Sequence, residues 1–297
     1  MRRTASLLAL ASLAWTSSAL AQAAPSEWRS ESYYAVNGAV TAALIGGRAL
    51  TGLLGKQLEA GHDTVWFPGD AGLRGRCSPQ AAHLSDVTFA LAIALPPAME
   101  LGGGLNARFV NAEVVYTQAL FAAGLLTSVA KVTFRRPRPF SYRKEGCSFQ
   151  VEDPDPNRSF FSGHSSGVFV SAFAGSFLMS EHADRRTRAA IWGTEMALAG
   201  ATANLRARAG KHYYSDIVVG ALVGAGIGLA IPALHGADAP PRASDLLAGS
   251  IGLAVGVVGS QLVAIGAEVV DAPGGAGVEL SPWFVAGGQG MMARGSW

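Results

Sequence analysis

Residues 206–216 read Arg206-Ala-Arg-Ala-Gly-Lys-His212-Tyr-Tyr-Ser-Asp216, and an apolar run over 217–234 follows them directly. If this stretch is helical from His212 onward, Asp216 lies one turn away on the same helix face. A carboxylate there can hold one imidazole nitrogen and leave the other nitrogen basic. The stretch therefore predicts a long buried helix that begins at a histidine–aspartate pair. A histidine with no catalytic role, whose ring is simply hydrogen-bonded to a nearby aspartate, would give the same pattern.

Two earlier stretches also place polar groups at the ends of apolar runs. Residues 131–139 read Lys-Val-Thr-Phe-Arg-Arg-Pro-Arg-Pro and close one run, while residues 159–164 read Ser-Phe-Phe-Ser-Gly-His and open another. In an up-and-down helical bundle, alternate helix ends meet on one face. The helix ends that we expect to converge in this way are those at Lys131, His164, Arg206 and His212.

The three stretches together resemble the signature of the type 2 phosphatidic acid phosphatase and vanadium haloperoxidase superfamily. That signature runs Lys, six residues, Arg-Pro; then Pro-Ser-Gly-His; then Ser-Arg, five residues, His, three residues, Asp. All of these spacings are met here, within about residues 112–234. Phe161 stands in place of the usual proline and Leu205 in place of the usual serine, at two positions that carry no chemistry.

A phosphate ester at such a site needs positive charge around its non-bridging oxygens. Lys131, Arg138 and Arg206 are suited to this task, and the two arginines can bind phosphate through paired N–H groups. Ser162 can add a hydroxyl group, and the Gly163 N–H can point at a phosphate oxygen from the start of a helix. We interpret these five residues as the phosphate-binding set. Ordinary helix-end anchors and a simple helix cap are the alternatives.

The resemblance also implies a reaction. It implies that His212 attacks phosphorus and becomes a phosphohistidine, while Asp216 orients His212 and stabilises its cationic form. His164 would protonate the leaving oxygen and then activate the water that releases phosphate. No set of metal ligands is evident in the sequence, so we expect neither a metal nor another cofactor. Arg135 and Arg136 flank the site, and we interpret both as solvated.

The composition leaves two kinds of helical bundle open. Hydrophobic residues make up 49% of the 297 residues and charged residues only 15%, which is apolar for a soluble enzyme and polar for a membrane bundle. Small residues four apart, as at Gly220 with Gly224 and Gly252 with Gly256, allow helix backbones to approach closely in membranes. We predict an all-α bundle whose six core helices correspond to the apolar runs 86–104, 113–131, 164–181, 188–205, 215–234 and 246–268.

The flanking segments complete the predicted organisation. Residues 1–21 are typical of a secretory signal peptide, because two arginines precede an apolar stretch that ends in small residues. Residues 22–85 are interpreted as a helix and a loop packed on the core, where Arg48 argues against a membrane span. Residues 86–271 form the predicted phosphatase bundle, and residues 272–297 a short irregular or β-like tail.

Two cysteines, Cys77 and Cys147, fall in polar loops of a chain that we predict to be exported to the cell envelope. Oxidising compartments favour pairing, so we expect one disulfide, with two free thiols as the alternative. If the six core helices span a membrane, the catalytic face lies on the periplasmic or outer side. The arginines within residues 181–188 would then fit the inner side.

Charge and composition also restrict the function. Loss of Arg2 and Arg3 with the signal peptide leaves 21 of the 23 basic residues against 21 acidic ones. No basic block with interleaved aromatic residues is present, which argues against a nucleic-acid partner, and no obligate protein partner is evident. The sequence favours a metal-independent acid phosphatase or lipid phosphatase, with a membrane and a phosphorylated lipid or small phosphate ester as partners. The alternatives are a vanadium-dependent haloperoxidase and a phosphate-binding envelope protein without turnover.

Overall fold

The structure is a computed structural model that describes residues 28–55, 67–143, 147, 156–180, 183–236, 241–270, 278–285 and 288–295. Within these ranges eight α-helices form an all-α bundle, which confirms the predicted fold class. The predicted signal peptide, residues 1–21, lies outside the described residues.

The helices follow the predicted apolar runs. They are α1 (Glu31–Gly55), α2 (Pro79–Leu101), α3 (Ala107–Phe134), α4 (Gly163–Val170), α5 (Ser176–Ser180), α6 (Arg185–Arg208), α7 (Tyr214–Leu234) and α8 (Ala243–Val270). A π-helical segment, Ser171–Gly175, joins α4 to α5, and short 3₁₀ helices lie at Pro68–Leu73 and Pro139–Tyr142.

Local sequence explains where several helices begin and end. The side chains of Ser78, Asn106 and Asp184 each accept a backbone N–H from the first turn of the helix that follows. Helix α3 ends where Arg135 adopts a left-handed backbone conformation, with φ at 47°. The chain then continues without helical structure to the 3₁₀ helix that begins at Pro139.

Small residues let the central helices approach closely. Helix α7 packs on α4, and a Cβ atom at Gly224 would lie 2.2 Å from the Ser166 carbonyl oxygen. Helix α8 packs on α6, and a Cβ atom at Gly256 would lie 1.9 Å from the Ala197 carbonyl oxygen. Any larger residue at either position would therefore push two helices apart, as the spacing of small residues in the sequence predicts.

Five helices are long and apolar enough to cross a membrane by length and composition, namely α1, α2, α3, α7 and α8. This set includes α1, which Arg48 was expected to exclude. The Arg48 side chain lies against α3, where a Cβ atom at Gly124 would sit 3.1 Å from its Nη1 atom. Because α4 and α6 do not meet the same criteria, the candidate spans differ from the six predicted core runs.

Helix α6 carries charged side chains into the bundle interior. Arg188, which we expected near the inner membrane surface, is buried and donates to both carboxylate oxygens of Asp245 in α8. Its Nη1 atom also donates to the Ser180 carbonyl oxygen at 2.6 Å. Glu195 is fully buried, with Oε2 3.2 Å from the Ser171 hydroxyl. Hydrogen-bond partners inside the bundle therefore allow α6 to bury the charged side chains of Arg188 and Glu195.

A polar network fastens α1 to the rest of the bundle. His235, which follows α7, hydrogen-bonds through Nδ1 to the Tyr33 hydroxyl and through Nε2 to Gln118 Oε1, both at 2.9 Å. Gln118 in turn donates to Asn37 Oδ1 at 2.9 Å. Since α3 and α7 run in opposite directions, this network lies at the end of the bundle away from Lys131.

The C-terminal segment forms an antiparallel hairpin of β1 (Val278–Val285) and β2 (Gly288–Gly295). This agrees with the expected β-like tail. The predicted limit between residues 85 and 86 falls within α2, so one helix bridges the N-terminal segment and the core. The division into functional domains stays a prediction.

The two cysteines lie at bonding distance, with Cα atoms 6.0 Å apart. Cys77 precedes α2 directly, and Cys147 belongs to the loop that follows α3. A bridge between them closes 70 residues and, in the chain-entropy model, contributes on the order of 4 kcal/mol to stability. The bond itself stays a prediction, which mass spectrometry of a non-reduced digest decides.

Candidate active site

The predicted site residues meet at one end of the bundle. Lys131 lies in the last turn of α3 and Arg206 in the last turn of α6. His164 lies in the first turn of α4, and His212 precedes α7. Arg138 lies just beyond α3, at the start of a 3₁₀ helix. The structure thus brings together the four helix ends that the sequence pairs in an up-and-down bundle.

The loop between α6 and α7 fixes the backbone around His212. Gly210 has φ at 73°, and a Cβ atom there would lie 1.7 Å from a carbonyl oxygen of the segment before α2, so only glycine fits. Phe140 N donates to the Gly210 carbonyl at 3.0 Å, and Arg138 Nη1 donates to the Lys211 carbonyl at 3.1 Å. The loop is therefore held by the segment that carries Arg138.

His212 is 1% exposed, and its hydrogen bonding defines which nitrogen is free of a proton. Nδ1 lies 2.8 Å from the Ser159 carbonyl oxygen, which can only accept, so in the neutral ring Nδ1 carries the proton and Nε2 does not. Asp216 Oδ2 lies 3.8 Å from Nδ1, too far for a hydrogen bond. The expected direct bond from Asp216 is absent because α7 begins only at Tyr214, so the helical spacing does not include His212.

Asp216 instead holds the residues around His212. Its side chain closes a capping box with Tyr213, whose backbone N–H donates to Oδ2 at 2.9 Å. The Ser159 hydroxyl donates to the same oxygen, and Ser159 is the residue whose carbonyl binds His212. Ser159 therefore connects Asp216 to the imidazole of His212.

Arg136 joins Asp216 to a second buried carboxylate. It is 2% exposed and donates to Asp216 Oδ1 at 2.6 Å and to Asp70 Oδ2 at 2.9 Å. Its guanidinium also lies over the ring of Tyr213, 4.0 Å from the ring centre. The Ser215 hydroxyl donates to Asp70 Oδ2 at 2.6 Å. Our interpretation of Arg136 as solvated was therefore wrong, since two buried acidic side chains enclose it.

The surroundings of His212 favour its neutral form. Burial is the main reason that the pKa of His212 falls well below its usual range. The positive charges of Arg138, Arg206 and Lys131 lower this pKa further, and so does His164. An imidazole that stays neutral in mildly acid solution keeps Nε2 available as a nucleophile.

His164 is linked to a carboxylate that the sequence analysis did not assign. Its Nε2 lies 2.8 Å from Asp86 Oδ1, and Arg206 Nη1 donates to the same oxygen at 3.1 Å. Burial lowers the pKa of His164 to about 4, although the hydrogen bond that its Nε2–H donates to Asp86 raises it. Arg206 and Lys131 lower it as well. His164 is therefore poised to change protonation state in acid solution.

Ser162 and Gly163 form the start of α4. The Ser162 hydroxyl accepts from Ser165 N at 3.2 Å, so this residue caps the helix, as one of our alternatives holds. A Cβ atom at Gly163 would lie 3.8 Å from Lys131 Nζ and 3.3 Å from the Thr127 methyl group. The missing side chain at Gly163 thus leaves the helix start close to Lys131, one of the predicted phosphate-binding residues.

Four residues of the site were not assigned from sequence. Arg136 lies within residues 131–139 and Ser159 within residues 159–164, so both belong to the motif stretches, which offered a signal for each. Asp70 and Asp86 carry no such signal, because their contacts depend on how the 3₁₀ helix and α2 pack. Among the described residues no group of three or more His, Cys, Asp or Glu side chains has the arrangement of a metal site.

Comparison with known families adds independent evidence. Residues 112–239 match the family described as the PAP2 superfamily. Comparison with curated proteins and comparison with solved structures each found no match. The matched region contains the three motifs and every phosphate-binding candidate, whereas Asp70 and Asp86 lie before it. The matched family is the type 2 phosphatidic acid phosphatase superfamily, which is the one that the three motifs of residues 131–216 resemble.

Proposed function

We propose that this protein is a metal-independent phosphatase that hydrolyses the phosphate ester of a lipid through a phosphohistidine at His212. The match of residues 112–239 to the PAP2 superfamily supports phosphatase activity on phosphate esters. The observation that carries the proposal is the placement of a buried, unprotonated Nε2 of His212 among Lys131, Arg138 and Arg206. Such a group is placed to attack an anionic centre that the three cations also bind, as the phosphorus of a phosphate ester would be.

In the first step, His212 Nε2 attacks phosphorus, and the bond from phosphorus to the leaving oxygen breaks. Lys131, Arg138 and Arg206 bind the non-bridging oxygens, where their charges replace those of a metal. The positive charge that develops on the imidazole is stabilised by the bond from Nδ1–H to the Ser159 carbonyl. The product of this step is a phosphohistidine and an alcohol.

His164 transfers the proton in both steps, first as an acid and then as a base. In the first step it donates a proton to the leaving oxygen, so that the lipid departs as a neutral alcohol. In the second step it takes a proton from a water molecule, whose oxygen attacks phosphorus. The bond from phosphorus to Nε2 then breaks, phosphate leaves, and His212 returns to its starting form.

An apolar groove beside the site favours a lipid substrate. The groove has a volume of about 760 Å³ and runs between α2, α6 and α8. Leu84 and Leu205 line it and directly precede Ser85 and Arg206, whose side chains are hydrogen-bonded to each other at 3.1 Å. A hydrocarbon chain in the groove would therefore have its phosphate next to the cations of the site.

The outer surface supports a place in a membrane. Leu222 of α7 is 68% exposed and Leu262 of α8 is 65% exposed, both on helices that are long enough to cross a bilayer. Large exposed apolar surfaces of this kind mark membrane or protein contacts. We propose that the bundle is embedded in the membrane of the cell envelope, with His212 facing the periplasmic or outer side.

The groove makes a prediction about chain length. Gly259 lines the groove and has no atom within 4 Å of a Cβ position, so the side chain in Gly259→Leu has room to begin and can extend into the groove. We expect kcat/KM for a long-chain alkyl phosphate to fall by about tenfold or more, since each buried methylene group contributes about 0.8 kcal/mol. A short-chain alkyl phosphate should be hydrolysed as before, and release of inorganic phosphate measures both.

Gly226→Leu is the matched control, because Gly226 of α7 also has an open Cβ position and does not line the groove. This variant should hydrolyse the long-chain and the short-chain alkyl phosphate as the wild type does. Unchanged hydrolysis of the long-chain ester by Gly259→Leu would contradict a chain in this groove and would favour a small soluble ester as substrate.

A vanadium haloperoxidase is the second candidate, because the same histidine and cations fit vanadate. We expect phosphate release to survive EDTA, since side chains supply the positive charge that a metal would supply. Orthovanadate should inhibit, because it adopts the five-coordinate geometry of the transition state. With vanadate, peroxide and bromide present, bromination of a dye should reach only a trace. Vigorous bromination without phosphatase activity would identify the haloperoxidase instead, and activity lost in EDTA but restored by a divalent ion would contradict the mechanism.

A further inference from the structure

Asp86 brings a negative charge into a site that is otherwise built from cations. It lies in the second turn of α2, before the region that matches the PAP2 superfamily. One oxygen, Oδ1, meets both His164 Nε2 at 2.8 Å and Arg206 Nη1 at 3.1 Å. The Asp86 side chain is 59% exposed, so it lies at the open edge of the site.

The geometry of this contact selects one nitrogen of His164 for proton transfer. A carboxylate accepts, so the proton between the two groups belongs to Nε2 of His164. The other nitrogen, Nδ1, is then the one left for the substrate. Phe89, one turn after Asp86 on α2, packs against the same ring with centroids 4.5 Å apart. Two residues of α2 therefore fix the orientation of the imidazole.

The charges that face His164 come from every element around it. Arg206 of α6 and Lys131 of α3 oppose a proton on its ring, while Asp86 of α2 favours one. His212, before α7, adds a ring that is itself surrounded by the same cations. Among these groups Asp86 alone stabilises the protonated ring.

We propose that Asp86 is a positioning residue for His164, holding its ring with Nδ1 toward the leaving oxygen and balancing the charge that the ring gains when it is protonated. This inference rests on the proposed phosphatase function. Arg206 shares the arrangement, because its Nη1 atom bonds both Ser85 and Asp86. Helix α2 thus sets the acid and one phosphate-binding cation in a fixed relation.

The test is Asp86→Asn, which keeps an acceptor oxygen and removes the charge. Two substrates with the same phosphate are compared, an aryl phosphate whose phenolate leaves without a proton and an alkyl phosphate that needs one. We expect kcat for the alkyl ester to fall by about tenfold or more, within the range of general acid catalysis, and kcat for the aryl ester to change by less than about twofold. Glu100→Gln removes the same charge from the far end of α2 and should change neither.

The pH profile supplies a second readout. His164 acts in its protonated form, so kcat/KM falls as pH rises through its pKa. Asp86 raises that pKa, and its loss should lower it. The decline of kcat/KM for the alkyl ester should therefore begin at a lower pH in Asp86→Asn than in the wild type. If Asp86 had a purely structural role, its replacement would lower activity without changing the pH at which kcat/KM declines.

Three results would overturn the proposal. If kcat fell equally for both esters and the decline of kcat/KM began at the same pH as in the wild type, Asp86 would have a structural role only. A lower KM with unchanged kcat would show that its carboxylate merely competes with phosphate for Arg206 and His164. Wild-type behaviour of Asp86→Asn would remove any role. In each case phosphate release by the wild type leaves the proposed function standing, whereas its absence would defeat that function first.

Discussion

Replacement of His212 by alanine should abolish phosphate release while the bundle stays folded. Nε2 of His212 is the nucleophile in the proposed mechanism, and no other described imidazole is buried among the three cations. Loss of a covalent nucleophile lowers kcat by roughly three orders of magnitude or more. Phosphate release from the purified variant measures the activity, and circular dichroism with a thermal melt measures the fold.

His83→Ala serves as the matched control, since His83 is exposed on α2 and belongs to no motif. It should retain the activity and the melting temperature of the wild type. Full activity in His212→Ala would remove the mechanism, because water would then have to attack phosphorus without a covalent intermediate.

Arg136→Met should destabilise the protein by about 3–5 kcal/mol, the range for breaking a buried ion pair. The substitution keeps a long side chain but leaves the buried carboxylates of Asp70 and Asp216 without their shared cation. It also removes the contact of the guanidinium with the Tyr213 ring. Denaturant unfolding in a mild detergent, followed by tryptophan fluorescence, measures the loss in the free energy of unfolding.

Arg135→Met is the control at the neighbouring position, where the side chain is only half-buried. We expect it to cost less than about 1 kcal/mol, as for most partly exposed charges. Adding Asp70→Asn to Arg136→Met should recover part of the stability, because it removes one unpaired charge. Wild-type stability of Arg136→Met would contradict the buried network that holds Asp216.

The sequence predicted the helices and their convergence well, for a physical reason. Long apolar runs must be buried, and short connections force consecutive helices to run in opposite directions. The ends at Lys131, His164, Arg206 and His212 therefore met as expected. The small-residue pairs also met their expected neighbours, since close backbone contact needs the absence of a side chain.

Contacts that depend on tertiary placement were not predictable in the same way. The four-residue spacing of His212 and Asp216 suggested a direct pair, but the helix begins after His212, and Asp216 turns back to cap it. Arg136 looked like a solvated charge because its partner Asp70 lies 66 residues away in a 3₁₀ helix. The residues next to such an arginine in the sequence do not distinguish it from an exposed one.

Charged side chains within the helices were also difficult to interpret from the sequence. Helix α6 contains an apolar run, yet its buried Arg188 and Glu195 have partners that only the folded bundle supplies. Arg48 argued against a span in α1, although its side chain lies against α3. A single charge such as Arg48 therefore does not decide whether a helix is long and apolar enough to cross a bilayer.

The proposed mechanism depends on a covalent bond between phosphorus and His212 Nε2. Rapid mixing of the wild type with a ³²P-labelled ester, followed by an alkaline quench, should trap labelled enzyme within the first turnover. The label should be lost in acid, as expected for a phosphohistidine, and should map to the peptide that contains His212. Phosphate release without any labelled enzyme, or a label on another residue, would contradict the account.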